Sequence, residues 1–265
     1  DVREGDHSSL ACIDRLATSK AKLVAKQDCI ICGVDIARMV FELVDDKLQF
    51  QAFASDGQKI KKGDIVFKVE GSAISILTAE RTLLNYMQRL SGIATTTSEY
   101  VNLIAGTSAR LLDTRKTTPT MRILEKYAVK TGGGTNHRIG LFDMIMLKDN
   151  HIDFAGGIEK AIDRTLQYLK DKQLDLKIEI EVRNFEELQR VLAKGGVNRI
   201  MLDNFSVEDT QKAVKMIDHK YEIESSGGIT AENILSYAQT GVDFISVGAL
   251  THQIRSIDLS LLADD

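Results

Sequence analysis

The chain has 265 residues, 43% of them apolar and 27% charged, with a formal net charge of −4 at pH 7. This length suffices for one large α/β domain or for a barrel with a smaller companion domain. The charge argues against a nucleic-acid-binding protein with a basic face, and no apolar run is long enough to cross a bilayer. We predict no nucleic-acid or membrane partner. Because the opening DVREGDHSSL lacks the basic and apolar regions of a secretory signal, we also predict a cytoplasmic location.

The three cysteines cannot all pair with one another. Cys29 and Cys32 lie in CIICGV, an apolar run that predicts a buried strand. A Cys-x-x-Cys pair can bind a metal ion or carry redox chemistry, but no second pair lies nearby to complete a metal site. The sequence favours reduced core thiols over either alternative.

The first part of the chain mixes predicted strands and helices, which indicates an α+β domain over residues 1–92. The predicted strands are KAKLVAK, CIICGV, LQFQAFA and DIVFKVEG, with a short helix at IARMVFELV. A long helix is predicted from Ile76 through Ile104, because its apolar residues recur every three or four positions. We expect this helix to bridge two domains.

From Ala109 onward short apolar strands alternate with amphipathic helical segments. The six predicted strands are ARLLD, MIMLK, KIEIEV, RIMLD, YEIES and FISVG. Such alternation predicts parallel strands with helical crossovers, and six units favour a barrel or partial barrel over residues 93–250. The closing stretch LTHQIRSIDLSLLADD has helical spacing, and we expect residues 251–265 to rejoin the first domain.

Polar residues follow every one of the six predicted strands. In β/α barrels, chemistry takes place at the carboxyl ends of the strands. A single charge at such a position is usually a solvated loop residue, but six polar strand ends favour a functional site. The strand ends are Asp113–Lys116, Lys148–Asn150, Glu181, Asp203 with Asn204, Ser225–Gly228, and Gly248.

Lys148 gives the clearest single indication of an anion site. It follows the apolar run MIML, and a lysine at the end of a buried strand needs an anionic partner or a shifted pKa. A bound anionic substrate would provide that partner. The acids Asp113, Glu181 and Asp203 suit a magnesium ion or sugar hydroxyls, and the cations suit carboxylates and phosphates.

Two glycine-rich segments also point to ligand binding. KTGGGTNHRIGLFD follows a helix that we expect Pro119 to begin, and it carries His137 and Arg138 directly after its glycines. A helix C-cap with a surface turn would explain Gly132 alone. ESSGGI, with Thr230 as a predicted helix cap and Gly248 after the last strand, is typical of a phosphate-binding corner, although a plain strand-to-helix turn is the alternative.

Seven motifs together resemble the quinolinate phosphoribosyltransferase family, also called nicotinate-nucleotide pyrophosphorylase (carboxylating). In chain order they are ERTLLNYMQRLSGIAT, DTRKTTP, KYAVKTGGGTNHR, LKDNHI, IEIEV, LDNFS and SSGGI. The resemblance covers nearly the whole chain. It implies an α/β fold with an N-terminal α+β sandwich domain followed by an incomplete β/α barrel. It also implies a homodimer or larger assembly in which Arg81 reaches the neighbouring chain's site.

The resemblance further implies transfer of phosphoribose from phosphoribosyl pyrophosphate to quinolinate, with loss of pyrophosphate and carbon dioxide, as a step of NAD biosynthesis. Mg²⁺ is the implied cofactor, with Glu181 and Asp203 as its ligands, and no organic cofactor is expected. Lys148, Glu181 and Asp203 are the implied catalytic residues. The implied quinolinate ligands are Arg81, Arg115, His137, Arg138 and Lys148. The implied phosphoribosyl pyrophosphate ligands are Lys116, Glu181, Asp203, Ser226, Gly227, Gly228 and Gly248.

Two features depart from the family pattern, and two other functions compete. Thr120 stands where glycine is expected after the DTRKT proline, which predicts a stiffer loop, and the start lacks much of a helix that usually precedes DVREGDHSS. A phosphoribosyltransferase acting on nicotinate would need fewer cations. A non-catalytic phosphate-binding barrel would gain nothing from the acids Glu181 and Asp203.

Overall fold

The computed structural model describes residues 1–264, and the chain forms two compact units. The first unit comprises residues 1–98, 127–133 and the segment from 253 onward; the second comprises 99–126 and 134–252. The predicted division at residues 92 and 93 falls inside a long helix that belongs to both units. The expected fold class, a small sheet domain joined to a parallel barrel-like sheet, is confirmed.

The first unit is built on a four-stranded antiparallel sheet in the order β12-β1-β5-β3, with a separate two-stranded pair β2-β4. Its long helix matches the predicted one to within three residues at its start and one at its end. The elements are α1 His7–Cys12, β1 Thr18–Ala25, β2 Cys29–Ile30, α2 Val34–Val44, β3 Gln49–Ala52, β4 Lys59–Ile60, β5 Ile65–Ser72, α3 Ala73–Leu103 and β12 Leu259–Ala263.

The core of this unit lies between its sheet and its helices. Alternate residues of β1 are buried, and Phe67 of β5 packs edge-on against Phe41 of α2 at 5.9 Å between ring centroids. Besides Phe41 of α2, the amphipathic face of α3 contributes Leu83 and Met87, both fully buried. Burial of each such side chain contributes about 1.5–3 kcal/mol, so this core is the main source of the unit's stability.

The closing stretch corrects the helical prediction. Only Ala249–His252 is helical, and Leu259–Ala263 instead forms the edge strand β12, antiparallel to β1. Its buried residues Ile257 and Leu259 join the core of the first unit. An edge strand with one buried face has alternating apolar residues, and LSLLA is too short to distinguish that pattern from a helical one.

The CIICGV run is buried as predicted, but only Cys29 and Ile30 form a strand. Helix α2 begins directly afterwards, at Val34. Gly33 has no side chain to cap this helix, and Asp56 supplies the cap instead, accepting hydrogen bonds from the N–H groups of Gly33 and Val34 at 2.9 Å. Because α2 begins at Val34, the observed strand is shorter than the predicted one.

Thiol reactivity should separate the three cysteines. Cys12 is exposed, whereas burial raises the pKa of Cys29 to about 11 and that of Cys32 to about 12. Because the thiolate is the reactive form, we expect iodoacetamide at about pH 8 to label Cys12 alone in the folded protein and all three thiols after unfolding. Peptide mass spectrometry measures this. Labelling of Cys32 at the rate of Cys12 in folded protein would contradict the buried assignment.

The second unit is built on a six-stranded parallel sheet, as predicted. The strands follow one another across this sheet in the order β6-β11-β10-β9-β8-β7. The first two strands along the chain form the two edges, so the barrel is incomplete between them. The elements are β6 Arg110–Leu112, α4 Arg122–Thr131, β7 Ile145–Leu147, α5 Asp149–Ala155, α6 Ile158–Lys172, β8 Ile178–Val182, α7 Phe185–Lys194, β9 Arg199–Asp203, α8 Val207–Ile217, β10 Glu222–Ser226, α9 Ile234–Ala238, β11 Phe244–Ser246 and α10 Ala249–His252.

Helix α4 begins at Arg122, three residues after Pro119, so the prediction that Pro119 starts this helix is wrong. Pro119 and Thr120 form a turn that precedes it. Within residues 1–264, no helix combines the length and apolar character that a membrane span requires.

Candidate active site

Most predicted site residues of the second unit lie at the carboxyl ends of its parallel strands, whereas His137 and Arg138 lie in the loop between α4 and β7. Strands β6 and β11 are neighbours in the sheet, so the loops that follow them meet. A Cβ atom at Gly248 would lie 3.2 Å from Cδ of Lys116, and Thr251 donates a hydrogen bond to the Lys116 carbonyl at 2.8 Å. The structure thus brings Lys116 and Gly248 together, and a side chain at position 248 would press on both His252 and Lys116.

Lys148 and Glu181 form an ion pair at the ends of β7 and β8. Nζ of Lys148 lies 3.3 Å from Oε2 of Glu181, and about half of the lysine side chain is exposed. Burial, with a further contribution from the charge of Asp203, raises the pKa of Glu181, while Lys148 opposes the shift. Glu181 is therefore the anionic partner that Lys148 was predicted to need. Because the ammonium group of Lys148 is exposed, it can still bind a second anion.

Asp203 and Ser226 are paired residues at the ends of β9 and β10. The backbone N–H of Asn204 donates to the Ser226 carbonyl at 2.8 Å, which closes the corner. A Cβ atom at Gly227 would collide with the Asn204 side chain, and Gly227 has a φ of +93° that favours glycine. Gly228 faces open space. Residues 226–228 thus form a tight turn beside Asp203.

The prediction that Thr230 caps a helix at this corner is wrong. Helix α9 spans only Ile234–Ala238, and its N-cap residue is Asn233. The Asn233 side chain accepts from the N–H of Thr230 at 2.8 Å and donates to the Gly228 carbonyl at 3.1 Å. The corner is therefore held by Asn233, and a short helix starting six residues after Gly228 supplies no anion-binding N-terminus.

Gly132, the first glycine of the GGG run, is required by packing. A Cβ atom there would collide with the carbonyl of Ala94 and lie 2.7 Å from Cβ of Thr97, both on α3. The glycine allows a close approach of backbone to helix, rather than of backbone to ligand. Of the two interpretations of Gly132, the helix end is therefore closer to the structure than the ligand-binding loop. Gly132 follows the last residue of α4 and packs against α3.

Arg115 and Arg138 lie near each other in the same unit. Burial, followed by the positive charge of Arg115, lowers the pKa of Arg138, whose guanidinium donates to the Met144 carbonyl at 3.1 Å. Nε of Arg115 is buried and finds no hydrogen-bond acceptor among the described residues. A buried guanidinium N–H without an acceptor costs free energy that an anionic ligand would recover.

His137 lies deeper than the other predicted cations and is 7% exposed. Its Nε2 stands 2.9 Å from an oxygen of Glu179 and 3.4 Å from an oxygen of Glu224, although neither oxygen lies in line with the N–H. Its Nδ1 accepts the N–H of Arg138 at 2.7 Å. The side chain is thus surrounded by the protein's own groups, and its predicted contact with quinolinate stays a prediction.

The protonation of this cluster follows from its contacts. Burial lowers the pKa of His137, whereas its contacts with Glu179 and Glu224 raise it. A second proton on Nδ1, however, would face the N–H of Arg138. The geometry favours a neutral ring with the extra proton on Glu179, whose pKa burial and then Glu224 raise to about 7.

Sequence reasoning missed the buried charges below the strand ends. Arg199 pairs with Glu222 and Glu224 at 3.1 Å each and stacks on Phe244 at 3.9 Å. Glu179 and Glu224 are fully buried. The alternation of acidic and apolar residues in IEIEV was the available signal, because a parallel strand covered on both faces normally reads as continuous apolar sequence.

The group formed by His137, Glu179 and Glu224 offers ligand atoms within 4.8 Å of one another. Arg199 already balances the charge of Glu224, so we interpret the group as part of a core network rather than as a metal site. Glu181 and Asp203 fit a divalent cation better, since they are carboxylates at adjacent strand ends whose mutual repulsion a cation would relieve.

Thr120 has a φ of +66°, in the left-handed region where a β-branched residue is strained. This is the position at which the family was expected to have glycine. The neighbouring loop is tied down as well, because Arg122 donates to the Thr117 hydroxyl at 3.2 Å and to the Ile139 carbonyl at 3.3 Å. Two hydrogen bonds thus hold the loop beside a strained residue, and its predicted stiffness stays a prediction.

Comparison with protein families gives two matches that together cover almost the entire chain. Residues 6–91 match the model of the quinolinate phosphoribosyl transferase N-terminal domain, and residues 93–262 match that of its C-terminal domain. The chain belongs to the quinolinate phosphoribosyltransferase family. The resemblance drawn from the seven motifs is thereby confirmed.

Relatives in the quinolinate phosphoribosyltransferase family are similar over nearly the full length of this chain. "Quinolinate phosphoribosyltransferase [decarboxylating] 2b, mitochondrial" of Nicotiana tabacum is 43% identical over 98% of this chain and 78% of the relative. The nicotinate-nucleotide pyrophosphorylase of Francisella tularensis is 43% identical, with a TM-score of 0.94 over 100% of this chain and 92% of that one. NadC of Streptococcus pyogenes, 39% identical, also reaches a TM-score of 0.94, over 100% and 93%.

One distant structural neighbour shares the fold. The human nicotinic acid phosphoribosyltransferase reaches a TM-score of 0.65 over 96% of this chain and 72% of that chain, at 12% identity. At this identity the likeness shows the fold alone.

Arg81, the quinolinate ligand expected to serve a neighbouring chain, lies exposed on α3.

Proposed function

We propose that the chain transfers phosphoribose from phosphoribosyl pyrophosphate to quinolinate, releasing pyrophosphate and carbon dioxide and forming nicotinate mononucleotide. The proposal is supported by relatives named for this activity at 43% identity. Within the structure, the observation that carries it is the buried Nε of Arg115, which has no acceptor among the described residues and lies near Arg138. Two neighbouring guanidinium groups suit a ligand with two carboxylates.

Charge complementarity assigns the binding roles. Arg115, His137, Arg138 and Lys148 would hold quinolinate, together with Arg81 of a second copy. Lys116 would face phosphoribosyl pyrophosphate, and the turn Ser226–Gly228 with Gly248 would receive its 5-phosphate through backbone N–H groups. The close packing of Gly248 on Lys116 supports this grouping, because it places a cation beside the proposed phosphate turn.

In the first step the pyridine nitrogen attacks the anomeric carbon of the ribose. The bond from that carbon to the pyrophosphate oxygen breaks, and pyrophosphate leaves with the electron pair. Positive charge develops on the ribose, and the carboxylates of Glu181 and Asp203 at the neighbouring strand ends would stabilise it. Holding both substrates in a fixed orientation contributes the remaining rate enhancement.

In the second step the carboxylate next to the quaternary nitrogen leaves. The carbon–carbon bond breaks, carbon dioxide departs, and the electron pair stays on the ring carbon, where the adjacent positive nitrogen stabilises it until a proton is added. Lys148 or an arginine would orient this carboxylate. Mg²⁺ held by Glu181 and Asp203 would neutralise the leaving pyrophosphate.

A substrate panel tests the proposal against its rivals. Pyrophosphate release is measured with phosphoribosyl pyrophosphate and magnesium, with either quinolinate or nicotinate as acceptor. We expect turnover with quinolinate and at least about 100-fold lower kcat/KM with nicotinate, because the loss of one carboxylate leaves a guanidinium unpaired. A preference for nicotinate would establish the nicotinate-type enzyme, and binding without turnover would establish a phosphate-binding barrel.

The assembly and location belong to the same proposal. A homodimer or larger homo-oligomer is supported by the exposure of Arg81, which is free to reach a second copy. The cytoplasmic location stays a prediction, since relatives from Nicotiana tabacum and Arabidopsis thaliana are named as mitochondrial and chloroplastic proteins.

A further inference from the structure

Asp113 was grouped with the acids that suit magnesium or sugar hydroxyls, and the structure places it elsewhere. It ends strand β6, directly before Thr114 and Arg115, and its side chain is fully buried. Oδ1 accepts from Nζ of Lys126 at 2.5 Å and from the N–H of His137 at 2.8 Å. With these contacts the carboxylate is turned into the protein and serves the chain rather than a ligand.

Lys126 of helix α4 binds the same segment in return. It is 2% exposed, and its Nζ also donates to the His137 carbonyl at 3.0 Å. With the Asn136 amide oriented so that its nitrogen faces acceptors, that nitrogen donates to Oδ2 of Asp113 at 2.8 Å and to the Lys126 carbonyl at 2.9 Å. Five hydrogen bonds therefore join residues 113, 126, 136 and 137.

This cross-link connects the two segments that carry the paired guanidinium groups. Asp113 lies two residues before Arg115, and His137 lies next to Arg138. Arg115 and Arg138 carry like charges, so the backbone that holds them contributes to their spacing. The cross-link joins these two backbone segments together with a backbone bridge, in which the N–H of Asp113 donates to the Thr135 carbonyl and the N–H of Thr135 donates to the Leu111 carbonyl.

The pair is not explained by stability alone. Burial raises the pKa of Asp113 and lowers that of Lys126, so for both groups desolvation outweighs their attraction. A buried pair of this kind is commonly no more stabilising than a well-packed apolar pair of the same size. The hydrogen bonds that the pair makes to residues 136 and 137 point instead to a geometric role.

We propose that Asp113 and Lys126 are positioning residues that set the distance between Arg115 and Arg138 for a ligand with two carboxylates. This role rests on the proposed function, because it assumes that the two arginines bind quinolinate. Neither residue touches the ligand; each acts through the backbone of the segment next to an arginine.

The test compares two variants with a matched control. The double variant Asp113→Asn/Lys126→Met removes both charges and so leaves no lone buried charge, and Asn136→Ala weakens the cross-link without altering a charge. The control, Arg183→Met/Glu187→Gln, removes another close ion pair, between the residue that follows β8 and helix α7. Circular dichroism confirms folding before steady-state kinetics are measured with each substrate varied in turn.

We expect the double variant to raise the KM for quinolinate at least about tenfold while the KM for phosphoribosyl pyrophosphate changes less than about twofold. Asn136→Ala should shift the quinolinate KM in the same direction by a smaller factor, and it decides the question if the double variant does not fold. A merely structural role would lower the fraction of active protein, and hence kcat, without changing either KM.

Two outcomes would overturn the inference in distinguishable ways. Wild-type turnover of quinolinate with an unchanged quinolinate KM in the folded variants would remove the positioning role and leave the proposed function standing. Absence of quinolinate turnover by the wild-type protein would remove the proposed function and this role with it.

Discussion

Replacing Lys148 with methionine is expected to lower kcat/KM for quinolinate by about 10²- to 10³-fold, equivalent to about 3–4 kcal/mol of transition-state stabilisation. The substitution keeps most of the side-chain length and removes the ammonium that lies 3.3 Å from Glu181. The site loses a cation for the anionic substrate, and Glu181 loses the charge that opposes its raised pKa. Steady-state kinetics with quinolinate varied at saturating phosphoribosyl pyrophosphate measures the effect.

Lys177 provides the matched control. It lies just before β8, at the opposite end of that strand from Glu181, and its Nζ stands 3.4 Å from Glu222. Lys177→Met removes a lysine with an equivalent pairing but should leave kcat/KM within about twofold. The free energy of unfolding of both variants should lie within about 1 kcal/mol of the wild type, because the two lysine side chains are 47% and 60% exposed. Equal losses of activity would show that Lys148 has no special role at the strand ends.

Replacing Arg199 with methionine is expected to lower the free energy of unfolding by about 3–5 kcal/mol. Arg199 is the buried cation that pairs with Glu222 and Glu224 and stacks on Phe244. Without it, the carboxylate of Glu224 stays buried beside Glu179 with no arginine to balance it. Urea unfolding followed by circular dichroism measures the loss.

The exposed pair Arg190–Glu159 is the control for this prediction. Its side chains are 43% and 45% exposed, so Arg190→Met should leave the free energy of unfolding nearly unchanged. Adding Glu224→Gln to Arg199→Met should restore part of the lost stability, because it removes the unbalanced charge. Equal destabilisation by Arg199→Met and Arg190→Met would contradict the role assigned to the buried network.

Much of the architecture was predictable because its patterns are local. The six parallel strands follow from apolar runs separated by amphipathic segments, and helix α3 follows from thirty residues of consistent spacing. The closing strand was not predictable in this way. LSLLA forms β12 because β1 offers it an edge, and that partner lies more than 200 residues away in the sequence.

The candidate site was predictable only at its surface. Lys148, Glu181 and Asp203 lie at or next to the ends of predicted strands, so a search for polar residues at strand ends identifies them. Lys126 does not stand out, because in the helical stretch EKYAVK a lysine reads as solvated, and only the tertiary structure encloses it beside Asp113.

The prediction that Thr230 caps a helix was wrong for a related reason. Its sequence position before a helical segment was right, but Asn233 lies closer to the observed helix start and makes the hydrogen bonds that hold the corner. Capping residues that lie within three positions of one another cannot be ranked from sequence alone.

The central claim is tested most directly by measuring carbon dioxide and pyrophosphate together, from purified protein given quinolinate, phosphoribosyl pyrophosphate and magnesium. The account predicts release of the two products in equal amounts from quinolinate, and loss of both in Lys148→Met. Pyrophosphate release without carbon dioxide, or no release of either from quinolinate, would contradict it.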